Sequence, residues 1–110
     1  MVSLTTNNTN VSQSIDNNKF VFDFGTLKKG TKTQLDVLLK ANGIKELSTK
    51  STCGCTVATP EKVNDNLYKV DISYNDYNIA KPFSKTVKIM FKSGSTDHTI
   101  LVNIKGNITN

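Results

Sequence analysis

Lys19-Phe20-Val21-Phe22-Asp23-Phe24-Gly25 alternates aromatic residues with Val and Asp at a strict period of two. Residues i, i+2 and i+4 share a face only in an extended chain, so Phe20, Phe22 and Phe24 form the apolar side of a half-buried strand. Gly25 is expected to end it, and Lys28-Lys29-Gly30 reads as a turn. The same alternation returns downstream. Leu35, Val37 and Leu39 interleave with Gln34, Asp36 and Leu38, and Asn42-Gly43 is the strongest short turn signal in the chain. Residues 44–49 and 52–58 read as short strands, and residues 60–66 as a loop. Tyr68, Val70, Ile72 and Tyr74 alternate cleanly, then residues 75–82 form a polar loop. Phe83, Val87, Ile89 and Phe91 mark a further strand, Ser93-Gly94-Ser95 turns the chain, and Ile100, Val102, Ile104 and Ile108 line the last strand. About seven short strands with no helical period predict an all-β sandwich or barrel.

The 110 residues suit one domain. Residues 1–18 (MVSLTTNNTNVSQSIDNN) differ from the rest: they are rich in Ser, Thr and Asn, with Val2, Leu4, Val11 and Ile15 as their apolar anchors. The expected organisation is an extended polar arm over 1–18 and the sandwich over 19–110. An ordered arm of this composition must be held by its own sheet or by a neighbouring molecule. Val2, Leu4, Val11 and Ile15 are therefore candidate partner contacts, together with Tyr77 and Ile79 in the polar loop.

The formal net charge is +5, and all 14 basic residues are Lys. Bidentate reading of guanine or phosphate favours Arg, so specific nucleic-acid binding is not expected. The lysines are scattered at strand positions, as on a solvated sheet face. No apolar run approaches the roughly 20 residues of a membrane span, so no membrane insertion is expected. Met1-Val2-Ser3-Leu4 followed by a polar run is no export signal by pattern. That leaves a cytoplasmic protein, a processed fragment, or a component of a particle assembled in a cell.

Ser51-Thr52-Cys53-Gly54-Cys55-Thr56 is the one distinctive motif. Zinc takes four ligands, and the chain offers two cysteines and the single His98, so neither a metal nor another cofactor is expected. In an extended strand, cysteines two apart share a face with their Cβ atoms too far apart for an unstrained bridge. A redox pair would need a kink at Gly54. The favoured reading makes both thiols small apolar core fillers, with Gly54 allowing close backbone approach or a bulge. No nucleophile, base and orienting group fall into a catalytic pattern, and no enzymatic activity is expected. Asn-x-Ser/Thr sequons at Asn7, Asn10 and Asn107 are given no role.

Phe22-x-Phe24-Gly25-x-Leu27-x-x-Gly30, Asn42-Gly43, Cys53-Gly54-Cys55-Thr56, Pro82-Phe83-Ser84-Lys85-Thr86-Val87 and Ile104-x-Gly106 occur in that order. Together they resemble a bacterial family of domains of unknown function marked by a Ser-Cys-Gly-Cys-Thr signature, over roughly residues 20–108. That family is similar to major-sperm-protein-like and other immunoglobulin-like sandwiches. The resemblance implies an all-β, immunoglobulin-like antiparallel β-sandwich without established enzymatic activity, often in secreted or surface proteins of Bacteroidetes-type bacteria. Two settings follow as expectations. One is an auxiliary, decorating protein of a bacteriophage virion, many copies of which bind the major capsid protein or another virion protein. The other is an interaction or adhesion domain in the periplasm or on the cell surface.

Overall fold

The structure is a computed structural model, and it describes residues 2–16, 19–52 and 54–110. Nine strands are formed among them: β1 (Ser3–Thr6), β2 (Ser12–Asp16), β3 (Lys19–Lys28), β4 (Thr33–Lys40), β5 (Ile44–Ser51), β6 (Thr56–Asn64), β7 (Leu67–Tyr74), β8 (Pro82–Ser93) and β9 (Thr96–Thr109). They build two sheets, in the orders β1-β4-β7-β6 and β2-β3-β9-β8-β5. The fold is a β-sandwich, one of the two architectures that the alternation predicts. Seven of its strands come from the segment after residue 18, and the other two from the segment before it.

The core lies between the sheets. Phe22 and Phe24 of β3, Leu35, Val37 and Leu39 of β4, and Val70, Ile72 and Tyr74 of β7 are buried there. They meet Phe83, Val87, Ile89 and Phe91 of β8 and Ile100, Val102, Ile104 and Ile108 of β9. Fully burying each such side chain contributes about 1.5–3 kcal/mol of transfer free energy. Period two places these residues inside and their neighbours outside. Tyr74 stacks on Phe83 with ring centroids 4.3 Å apart, and Phe24 meets the same ring at 6.2 Å. Gly106 lies against that cluster: a Cβ there would sit 2.9 Å from Phe83 Cε1. The glycine of the Ile-x-Gly motif is therefore required by side-chain packing.

Several elements depart from the sequence expectation. Gly25 does not end its strand. It has φ +69°, its N–H donates to Asp23 Oδ1 at 2.8 Å, and the register against β9 shifts between Asp23 and Thr26. This is a bulge that glycine accommodates without strain, and β3 continues past it. The pairing of β3 with β9 is parallel, whereas the other strand pairs are antiparallel. Asn42-Gly43 does turn the chain, with Gly43 at φ +60°. It carries the chain from one sheet to the other instead of closing a hairpin, and Gly43 N–H donates to Asn66 Oδ1 at 2.8 Å. The expected loop over 60–66 is largely strand. β6 runs to Asn64 with Pro60 inside it. As the last strand of its sheet, β6 buries few residues, so its apolar period is faint, and an edge tolerates proline.

The N-terminal segment shows the largest difference. Instead of extending away, it supplies the outermost strand of each sheet: β1 pairs with β4, and β2 with β3. Both unpaired edges at that rim are thereby closed from within the chain. Leu4 is 3% exposed and belongs to the core, and Val2 and Val11 pack against it. Of the two holders open to an ordered arm, its own sheets are the one realised.

Candidate functional site at the sheet edges

In a sandwich, the outermost strands carry the backbone N–H and C=O groups that another chain can pair with. Here these are β1, β2, β5 and β6. Three of them have features that blunt such pairing. β1 is four residues long, and beyond it Asn8 occupies the next backbone groups of β4. The Asn8 amide donates to Gln34 O at 3.0 Å, and Asp36 N–H donates to Asn8 Oδ1 at 3.0 Å. Thr6 Oγ1 also donates to Asp36 O, at 2.6 Å. β5 has a register shift between Lys45 and Ser48, with Glu46 at φ 53° inside it, and it carries Lys45 and Lys50. β6 contains Pro60.

β2 differs. Its sequence, Ser12-Gln13-Ser14-Ile15-Asp16, holds no proline, lysine or glycine, and its register with β3 runs without a shift. Ile15 is 67% exposed, the highest value among the large apolar side chains that lie in the open. An edge in unbroken register, without lysine or proline and with an exposed β-branched side chain, is the kind that accepts a further strand.

The structure separates the candidate contacts named from sequence. Ile15 and Ile79 are exposed. Leu4 is corrected from contact to core, because its side chain points between the sheets. Val2 and Val11 are half-buried, and so is Tyr77, which packs against the core while its carbonyl accepts the Gly30 N–H at 3.0 Å. Ile15 and Ile79 are thus not joined with the others into one patch.

The Cys-Gly-Cys-Thr motif lies where β5 leaves one sheet and β6 enters the other. Thr52 N–H donates to Thr86 O at 3.1 Å, and Asn75 N–H donates to Cys55 O at 2.7 Å, fixing the two ends of the connection. Thr56 is buried, as suits a structural role. Cys55 is half-buried and packs against the core, but it is disulfide-bonded rather than a thiol filler. The sequence offers one other cysteine, Cys53, which lies outside the described residues. A bridge is disfavoured only in an extended strand, and Gly54 and Cys55 lie in a turn. Gly54 itself is exposed, and a Cβ built on it meets nothing within 4 Å, so close approach does not explain this glycine.

Other features emerge only from strand register. Asp36 and Asp71 stand directly opposite each other on β4 and β7. A hydrogen bond from the protonated Asp71 carboxyl to Asp36, then burial and the Asp36 charge, raise the Asp71 pKa above its ordinary value; Lys69 opposes and Glu61 reinforces this. Asp71 Oδ1 is buried without a hydrogen-bond partner. The two facts agree: two ionised carboxylates have no proton to share, and protonation of one supplies the missing donor. Tyr74 Oη is likewise buried without a partner, and burial raises its pKa. On the other sheet, Lys45 faces Lys92 and Lys50 faces Lys88 across β5 and β8. His98 is half-buried and stacks on Phe91, with centroids 5.1 Å apart. Among the described residues, no group of three or more His, Cys, Asp or Glu side chains could hold a metal ion.

No curated protein matches the chain. Residues 15–108, which span β3 to β9 and the end of β2, match the family described as Protein of unknown function (DUF1573), and the chain belongs to that family.

Proposed function

We propose that this domain is a non-enzymatic interaction module that takes an extended segment of a partner protein as a new strand beside β2. The observation that carries this reading is Ile15, exposed on an outermost strand without a proline, a lysine or a bulge and, unlike β1, with no side chain capping the backbone beside it among the described hydrogen bonds. Main-chain hydrogen bonds would supply affinity, and the apolar side chain would select what lies across from it. An immunoglobulin-like identity is supported by the strand order, in which connections repeatedly cross between sheets and the last strand pairs with the first strand of the family-matched region.

Of the two settings, the periplasm or cell surface is favoured by the disulfide at Cys55, because disulfides persist in oxidising compartments. A decorating protein of a bacteriophage particle is the second reading. A five-residue edge is short, and repetition on a lattice would let many weak strand additions hold.

A photo-crosslinking residue at position 15, compared with one at exposed Thr59 on β6, tests the proposal in producing cells. Adducts to one protein from position 15, absent from position 59, are expected. Adducts from neither position, or equally from both, would overturn it. Fractionating the position-15 adduct then separates envelope from particle.

A further inference from the structure

Like charges directly opposite on neighbouring strands are destabilising, and β5 and β8 hold two such pairs. The first, Lys45 opposite Lys92, is relieved: Glu46 lies 3.3 Å from Lys92 Nζ. The other ion pairs among the described residues are Lys62–Asp65 and Lys105–Asp23. Neither Lys50 nor Lys88 belongs to any of these pairs, although the two face each other in register. Across this sheet the row continues through Leu101 to Lys19, which adds a further positive charge.

The ground between these two lysines is shaped. A recess of about 180 Å³ is lined by Lys50, Ser51, Thr52, Thr86, Lys88 and Leu101. Its hydroxyls are held in place. Thr52 Oγ1 donates to Thr86 O at 3.2 Å, and the Thr52 N–H donates to the same carbonyl at 3.1 Å. Thr86 Oγ1 accepts from the Asn103 amide at 3.4 Å, which leaves its own proton to donate. Asn103 is buried and also donates to Ser84 Oγ and Lys85 O, so it is anchored independently of the recess. Cβ atoms of directly opposed residues lie about 5 Å apart, close enough for both ammonium groups to converge on one small anion.

We propose that this recess binds a doubly charged tetrahedral oxyanion, the phosphate group of a monoester. Two ammonium groups match its charge, and the Thr86 hydroxyl adds a donor at its rim. Carboxylates fit less well, because a planar group with one charge leaves half of the lysine pair uncompensated. The site lies on β5, β8 and β9, with β3 between it and β2, and it uses no β2 residue, so it stands or falls separately from the strand-addition proposal.

The test is a titration of the whole chain with sodium sulfate, sodium phosphate and sodium acetate in separate arms at constant ionic strength, followed by amide NMR. Saturable shifts centred on Ser51, Thr52, Thr86 and Lys88 are expected with sulfate or phosphate, and weaker ones with acetate. Lys50→Gln and Lys88→Gln should each weaken binding about tenfold, the loss of one charge-assisted hydrogen bond. Lys45→Gln, in the relieved pair, should leave it unchanged, and unchanged spectra elsewhere show that each variant is folded. Shifts that never saturate, that fall equally on Lys45 and Lys69, or that persist in the double Lys50→Gln, Lys88→Gln variant would overturn the proposal.

Discussion

At the scale of single residues, two buried polar atoms set the expectations. The Tyr74 hydroxyl is enclosed without a partner, whereas its ring stacks on Phe83. Leaving a buried hydroxyl unpaired costs about 1–3 kcal/mol. Tyr74→Phe keeps the stacking and removes the unpaired group, so it should raise the urea midpoint; a lowered midpoint would show that the hydroxyl is bonded in solution. The Asp36–Asp71 pair gives a pH dependence. Asp71 holds its proton more tightly in the folded chain than at the ordinary value of 3.8. Its stabilising contribution is therefore complete below that value and is lost as pH rises through the folded pKa. Asp71→Asn should stabilise the protein by about 1 kcal/mol at pH 7, the scale of a cross-strand like-charge pair, and the gain should shrink towards pH 3.8. Urea unfolding of both proteins across that range checks it, and a gain that is constant with pH would exclude the carboxylate pair as its cause. The burial of Tyr74 is legible in the alternation Tyr68, Val70, Ile72, Tyr74. The aspartate pair is not, because residues 35 positions apart meet only once the register of β4 against β7 is fixed.

At the scale of elements, apolar alternation was a reliable guide wherever a strand is buried on one face along its whole length. β4 and β7 fall where the period of two puts them. It failed at the rims. The second half of β6 reads as a loop in the sequence, and β2 as part of an arm, because an outermost strand is held by main-chain hydrogen bonds to one neighbour and needs few apolar side chains. The same limit hid the candidate edge: Ile15 is visible in the sequence as an isolated apolar residue, but its place on an unguarded edge depends on sheet order. The cysteine motif failed for a related reason. An extended strand is expected there, and Gly54 and Cys55 lie in a turn. The glycines divide similarly. Gly25 and Gly106 are explained by a positive φ and by the Phe83 ring, and Gly54 by neither.

At the scale of the molecule, the family match begins at residue 15, so β1 and the first half of β2 precede it. Without them, β3 and β4 would be outermost, and their unpaired backbone groups would lie together on one rim of the sandwich. The N-terminal segment therefore does two separable things: it fills the core with Leu4, and it closes two edges. Leu4→Ala removes the first and keeps the second. It should cost about 2–5 kcal/mol of stability, as for other buried leucines, without altering association. Deleting residues 1–16 removes both. That variant should lose at least as much stability and should also self-associate as concentration rises, because two newly opened edges offer templates for pairing. Urea unfolding and sedimentation velocity on the full chain and both variants distinguish the two roles. A truncated chain that associates no more than the full chain would mean that β3 and β4 are protected without their covering strands. The segment would then contribute to the core alone.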